Sequence, residues 1–183
     1  MIFIPIVVSI FSLVFAYFLA NEVNKAPSGS GKMVEISGYI REGALAFLKR
    51  QYKAVGLVAV ILFLLLCLVM NIRVGLGFLI GVIASASAGC VGMMISTKAN
   101  VKVAQAARKG LAPALNLSFQ AGSVTGILVV GLGLFCVSFL YFLTQDLMVL
   151  LALSFGGSLV SVFARLGGGI YTKAADVGAD LVG

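Results

Sequence analysis

The chain has no histidine, only three cysteines and three prolines, and just six acidic side chains among 183 residues. Without histidine there is no imidazole to hold a metal or to act as a base near neutral pH, so any reactive site must rest on carboxylates, lysine and arginine. Cys67, Cys90 and Cys136 each stand alone inside an apolar run. That spacing excludes a zinc or disulfide signature and reads as small buried hydrophobes. Charge is also scarce, at 10% of residues against 61% hydrophobic, with a mean hydropathy of +1.16. A water-soluble domain of this length neither needs nor tolerates such a balance, so the chain belongs in a bilayer.

What is present is long apolar runs. Five of them, over residues 2–20, 54–70, 74–95, 121–143 and 147–170, are each long enough to cross roughly 30 Å of hydrocarbon. The fold class expected is therefore an all-α, polytopic transmembrane helical bundle forming one domain over residues 1–183. The first run has no basic leader and no A-x-A-like cleavage site after it, so it reads as a retained helix and not a signal peptide. Two connecting segments carry helical periodicity as well. Ile36, Tyr39, Ile40, Ala44, Phe47 and Leu48 recur at helical spacing, so a helix over 35–53 is expected to run straight into the second span. Residues 98–109 are expected to extend the third span and to stop at Gly110, with Pro113 beyond. Gly77, Gly81, Ser85 and Gly89 recur every four residues along the third span, a stripe that lets another helix come close, and Gly122 with Gly126 repeats the idea in the fourth.

The positive charges set the orientation. Lys25, Lys32, Arg41, Lys49, Arg50 and Lys53 precede the second span, and Lys98, Lys102, Arg108 and Lys109 follow the third. The other two connections hold only Arg73 and Asp146. This asymmetry puts the N-terminus outside, both basic loops in the cytoplasm, and the fifth helix ending on the cytoplasmic side. The formal charge of +7 is then topology, with acidic lipid headgroups of the bilayer as expected neighbours and no nucleic acid implied. The stretch PSGSGKM resembles a phosphate-binding loop but fails at two defining positions, Ala26 and Met33, and reads as a linker.

The fifth run continues into RLGGGIYTKAADVGADLVG. Extended unbroken to residue 183, this helix is about 55 Å long, so its last third stands clear of the hydrocarbon. With Arg165 at zero and 100° per residue, Ser158 and Asp176 fall near 20°, Asp180 near 60°, Lys173 near 80°, and Ser154 and Thr172 about 20° to the other side. One stripe roughly 100° wide thus carries every charged group of the helix. Asp176 and Asp180 repel each other at neutral pH unless a cation sits between them. With Lys173 one turn back, the set suits a polyphosphate carried on Mg²⁺, the acids holding the metal and the ammonium a phosphate oxygen. Arg165, near the membrane edge, would cost about 2.5 to 3.5 kcal/mol if unpaired, so it should face a polar interior and a partner.

The run FARLGGGIYTKAADVGADLVG resembles the signature of the membrane-integral, ion-pumping inorganic pyrophosphatases. ISGYIREGALAFLKRQY, GCVGMMISTKANVKVAQAA, GLAPALNLSFQAGSVTG and LALSFGGSLVSVFAR are similar to the same family, so the resemblance covers nearly everything beyond the first helix. It implies an all-helical homodimer of about sixteen spans per subunit, each sized to the hydrocarbon, that splits pyrophosphate on the cytoplasmic side and moves H⁺ or Na⁺ outward. It also implies that Lys173 contacts pyrophosphate, that Asp176 and Asp180 are catalytic carboxylates binding its Mg²⁺ complex, and that Arg165 belongs to the ion gate. Mg²⁺ is the implied cofactor, K⁺ a further one the family admits, and a bacterial inner membrane the expected location. The family's other acidic clusters have no counterpart here, so the chain is expected to be an N-terminal fragment that alone neither hydrolyses nor transports. The alternative is a non-catalytic membrane bundle, a channel or transporter subunit whose charged helix end binds lipid or a partner.

Overall fold

A computed structural model describes the backbone of residues 3–182 and the side chains of residues 3–181. Ile2, where the first span was expected to begin, and Gly183, where the last helix was expected to end, lie outside the described residues. Among those described, five helices follow in order: α1 (Phe3–Lys25), α2 (Gly31–Val69), α3 (Ile72–Ala107), α4 (Leu111–Thr144) and α5 (Leu147–Val182). All five are long and apolar enough to cross a membrane. The expected helix over 35–53 is continuous with the second span inside α2, as its periodicity implies. α4 begins ten residues ahead of the expected 121, with Pro113 tolerated in its first turn, where the backbone N–H has no intrahelical partner anyway.

The connections are short and chemically specified. Gly29 and Gly110 take φ of 86° and 131°, conformations that a side chain would strain, and they break the chain between α1 and α2 and between α3 and α4. On the other two turns a side chain caps the next helix: Asn71 Oδ1 accepts from Val74 N at 2.9 Å, and Asp146 Oδ1 accepts from Met148 N at 2.8 Å.

The chain forms two compact units, residues 1–46 with 87–145, and 47–86 with 146–183. In the first, α1 lies antiparallel along α4, with Phe3 against Phe142, Leu13 over Gly131, and Val23 in a core with Ile95, Ala99, Ala121 and Val124. In the second, Val55 and Ala59 of α2, Val74, Phe78 and Val82 of α3, and Ala152 and Val160 of α5 form the core. Lipid tails are as apolar as these side chains, so close van der Waals packing must hold the helices together. The glycine stripe of α3 supplies it. A Cβ on Gly77 would stand 2.6 Å from the Val149 carbonyl, one on Gly81 would collide with that of Leu153, and from the other side one on Gly156 would collide with that of Phe78. The Ser85 hydroxyl completes the seam by donating to Gly157 O at 3.4 Å. Gly122 and Gly126 differ from expectation, since a Cβ at either meets nothing within 4 Å. Among the described residues, no helix comes close to either.

Candidate functional site

All four charged candidates stand on α5, and the second unit supports that helix on one side only. Val149, Ala152, Leu153, Gly156 and Val160 are buried, and Phe163, Gly167 and Tyr171 are half-buried on the same flank. At roughly 100° per residue this packed side is centred about 190° round from Arg165, so it lies opposite the stripe that holds Ser154, Ser158, Arg165, Lys173, Asp176 and Asp180. All six are exposed. The apolar run therefore packs α5 onto α2 and α3 while the polar stripe points away from them.

α2 reaches furthest along α5 through two side chains one turn apart. The Phe47 ring meets Tyr171 with centroids 5.1 Å apart, and the Gln51 amide lies over Gly167, where a Cβ would stand 2.7 Å from its Oε1. Beyond that, residues 172–181 are exposed throughout. The Thr172 hydroxyl is spent on its own helix, donating to Gly168 O at 2.9 Å. Lys173 and the two aspartates make no ion pair among the described residues, whose single bridge is Lys25 with Glu22 at 2.7 Å on α1. Asp176 and Asp180 sit four residues apart on an unbroken helix, which places both carboxylates on one flank with free oxygens. Hard oxygen donors of this type suit Mg²⁺. Two carboxylates do not complete a cage, and among the described residues no group of three acidic or thiol side chains gathers to hold a metal.

Two features escaped the sequence reading. Lys102, counted there only as an orienting charge, is 7% exposed and donates to the Val23 and Asn24 carbonyls at 3.0 and 2.6 Å. It satisfies the C-terminal end of α1 with a cation, which that end of the helix dipole favours. Gln51 carries a buried Oε1 with no hydrogen-bond partner. Neither has a local signal, because the partners lie 79 and 116 positions away along the chain, as numbered by Val23 and Gly167.

Comparison with known proteins gives the family. A profile of the family described as inorganic H⁺ pyrophosphatase matches residues 10–183. A K⁺-insensitive pyrophosphate-energized proton pump of Methanosarcina mazei is 46% identical over the whole of this chain, and one of Chloroflexus aurantiacus is 41% identical over 97% of it. A K⁺-stimulated pyrophosphate-energized sodium pump of Thermotoga maritima is 40% identical over 88% of the chain. The chain spans 28%, 26% and 26% of the lengths of these three relatives. With the profile running from the middle of α1 to the end of α5, the chain belongs to the inorganic H⁺ pyrophosphatase family.

Proposed function

We propose that this chain serves as part of a pump that hydrolyses pyrophosphate and drives H⁺ or Na⁺ outward across the membrane. The observation that carries the reading is the two-sided α5, with Arg165, Lys173, Asp176 and Asp180 all on the flank that the second unit leaves uncovered. Arg165 stands near the membrane edge, where a guanidinium facing lipid is costly, so that flank calls for further protein and a polar interior. The shares of the relatives' lengths leave room for such helices in a longer protein.

In this reading Lys173 holds a pyrophosphate oxygen as a point charge, and Asp176 with Asp180 would hold Mg²⁺ and help orient the attacking water. Bound there, Mg²⁺ would neutralise charge on the phosphate oxygens. No covalent intermediate is invoked, since the segment offers no nucleophile poised beside a base. A proton released beside the stripe would enter the path that Arg165 lines. The reading also includes a homodimer, cytoplasmic placement of the distal end of α5, and a bacterial inner membrane. Relatives of both K⁺ types match this chain, so the reading assigns it neither a K⁺ requirement nor a choice of transported ion. The 183 residues alone are expected to be inactive.

The test uses the full-length protein in membranes. Lys173→Ala and Asp180→Asn should each abolish Mg²⁺-dependent pyrophosphate hydrolysis while the protein still inserts. Retained hydrolysis in either would refute the assignment.

A further inference from the structure

Past Tyr171, every described side chain of α5 is exposed. The last points at which the second unit holds the helix are therefore the Phe47–Tyr171 ring contact and the seat of Gln51 over Gly167. These are consecutive rungs, residues 47 and 51 on α2 meeting 171 and 167 on α5, and together they fix both the height and the rotation of α5 where its charged end begins. Lys173 follows two residues later. Gly168 and Gly169 offer no alternative grip, because a Cβ on either would meet nothing within 4 Å.

The choice of glutamine at this rung is the informative part. A hydrocarbon of the same length would fill the space over Gly167 without leaving a buried acceptor, yet the Gln51 Oε1 is buried and has no donor. Buried polar atoms without partners are uncommon and destabilising, so one that persists calls for a physical reason. Arg165 is not the missing donor, since it lies on the opposite flank of α5. The amide oxygen instead lies against α5 at Gly167, 2.7 Å from where a Cβ would stand, so a side chain there would displace it.

We infer that Gln51 is a positioning residue: seated on Gly167, its amide sets the register of α5 and so the placement of Lys173 toward a bound pyrophosphate. This rests on the reading of the α5 stripe as the pyrophosphate site. Gln51 itself touches no substrate in this assignment, and it acts only through the helix it holds.

The discriminating variant is Gln51→Leu in the full-length protein, which keeps the volume and removes the orphaned oxygen. A residue serving packing alone would leave this variant as stable as the parent or more so, with unchanged kinetics. A positioning role predicts the same or a higher melting temperature together with a KM for Mg²⁺-pyrophosphate raised about tenfold, and a smaller loss in kcat. Gln51→Glu, which retains an oxygen at the same place, should recover most of the loss. A KM for Gln51→Leu within twofold of the parent overturns the inference. If Gln51→Leu does not fold, Gly167→Ala displaces the same amide and must raise KM in its place; an unchanged KM there also overturns it. A spin label at Gly178, where open space surrounds the backbone, gives a readout independent of turnover. Its distance distribution to a second label at Gly56 should broaden in Gln51→Leu, and an unchanged distribution counts against the inference. Failure of the parent protein to hydrolyse pyrophosphate would refute the pump reading, while the label distances would still decide the role of Gln51.

Discussion

Lys102 has a value that its sequence neighbourhood conceals. Among Lys98, Arg108 and Lys109 it looks like one more cytoplasmic charge, but burial and two carbonyl partners make it the tie between α3 and the end of α1. Lys102→Met should leave those carbonyls short of a donor and cost about 2 kcal/mol, the scale of hydrogen bonds to a charged group. Thermal unfolding in detergent micelles would show the loss, and Lys102→Arg should recover only part of it, because a planar fork cannot reproduce the ammonium's geometry in a closed site. Lys173, Asp176 and Asp180 were legible in the sequence for the opposite reason. Their relationship is local, set by 100° per residue on one helix, whereas the partners of Lys102 and Gln51 are brought near only by tertiary folding. Phe78 marks the same limit: nothing in its run distinguishes it from a lipid-facing phenylalanine, yet it is fully buried, and Phe78→Ala should destabilise the second unit by about 3 to 5 kcal/mol.

Helices were easier to read than the surfaces between them. An apolar run of spanning length and the periodicity of residues 36–48 mark out α2 in the sequence, and the four-residue glycine spacing marks α3 as a close-packing helix. The identity of its partner, α5, did not follow, because spacing states only that something can approach. Gly122 and Gly126 carry the same signal with no partner in this chain. The two classes predict opposite outcomes. Gly81→Ala and Gly156→Ala must push α3 and α5 apart against backbone carbonyls and should each cost about 1 to 3 kcal/mol, the range for forcing extra atoms into a packed seam. Gly122→Ala should be neutral or up to about 1 kcal/mol stabilising in this chain, as expected for an unhindered helical glycine. Unfolding measurements on the three variants side by side would check the contrast.

For the molecule as a whole, hydropathy gave the class and charge gave an orientation. The connections at 26–30 and 108–110 lie among lysines, and the tight turns at 70–71 and 145–146 hold none. If the basic connections face the cytoplasm, a membrane-impermeant thiol reagent added outside intact cells should label Met70→Cys and Leu147→Cys but not Ser28→Cys or Leu111→Cys. The reverse pattern would invert the proposed topology.

The unsupported end of α5 has a mechanical consequence. Among the described residues α2 and α3 brace α5 no further than Tyr171, and a tilt of only about 10° there would swing Asp180 by about 2.3 Å but Lys173 by about 0.5 Å, given a rise of 1.5 Å per residue. Mg²⁺ demands oxygens at 2.0 to 2.1 Å in near-octahedral array, a tolerance far narrower than that swing. If Lys173, Asp176 and Asp180 hold a Mg²⁺-bound anion as proposed, the ammonium would meet it with the least movement of the helix, and the carboxylates would do so only once the tip of the rod is held still.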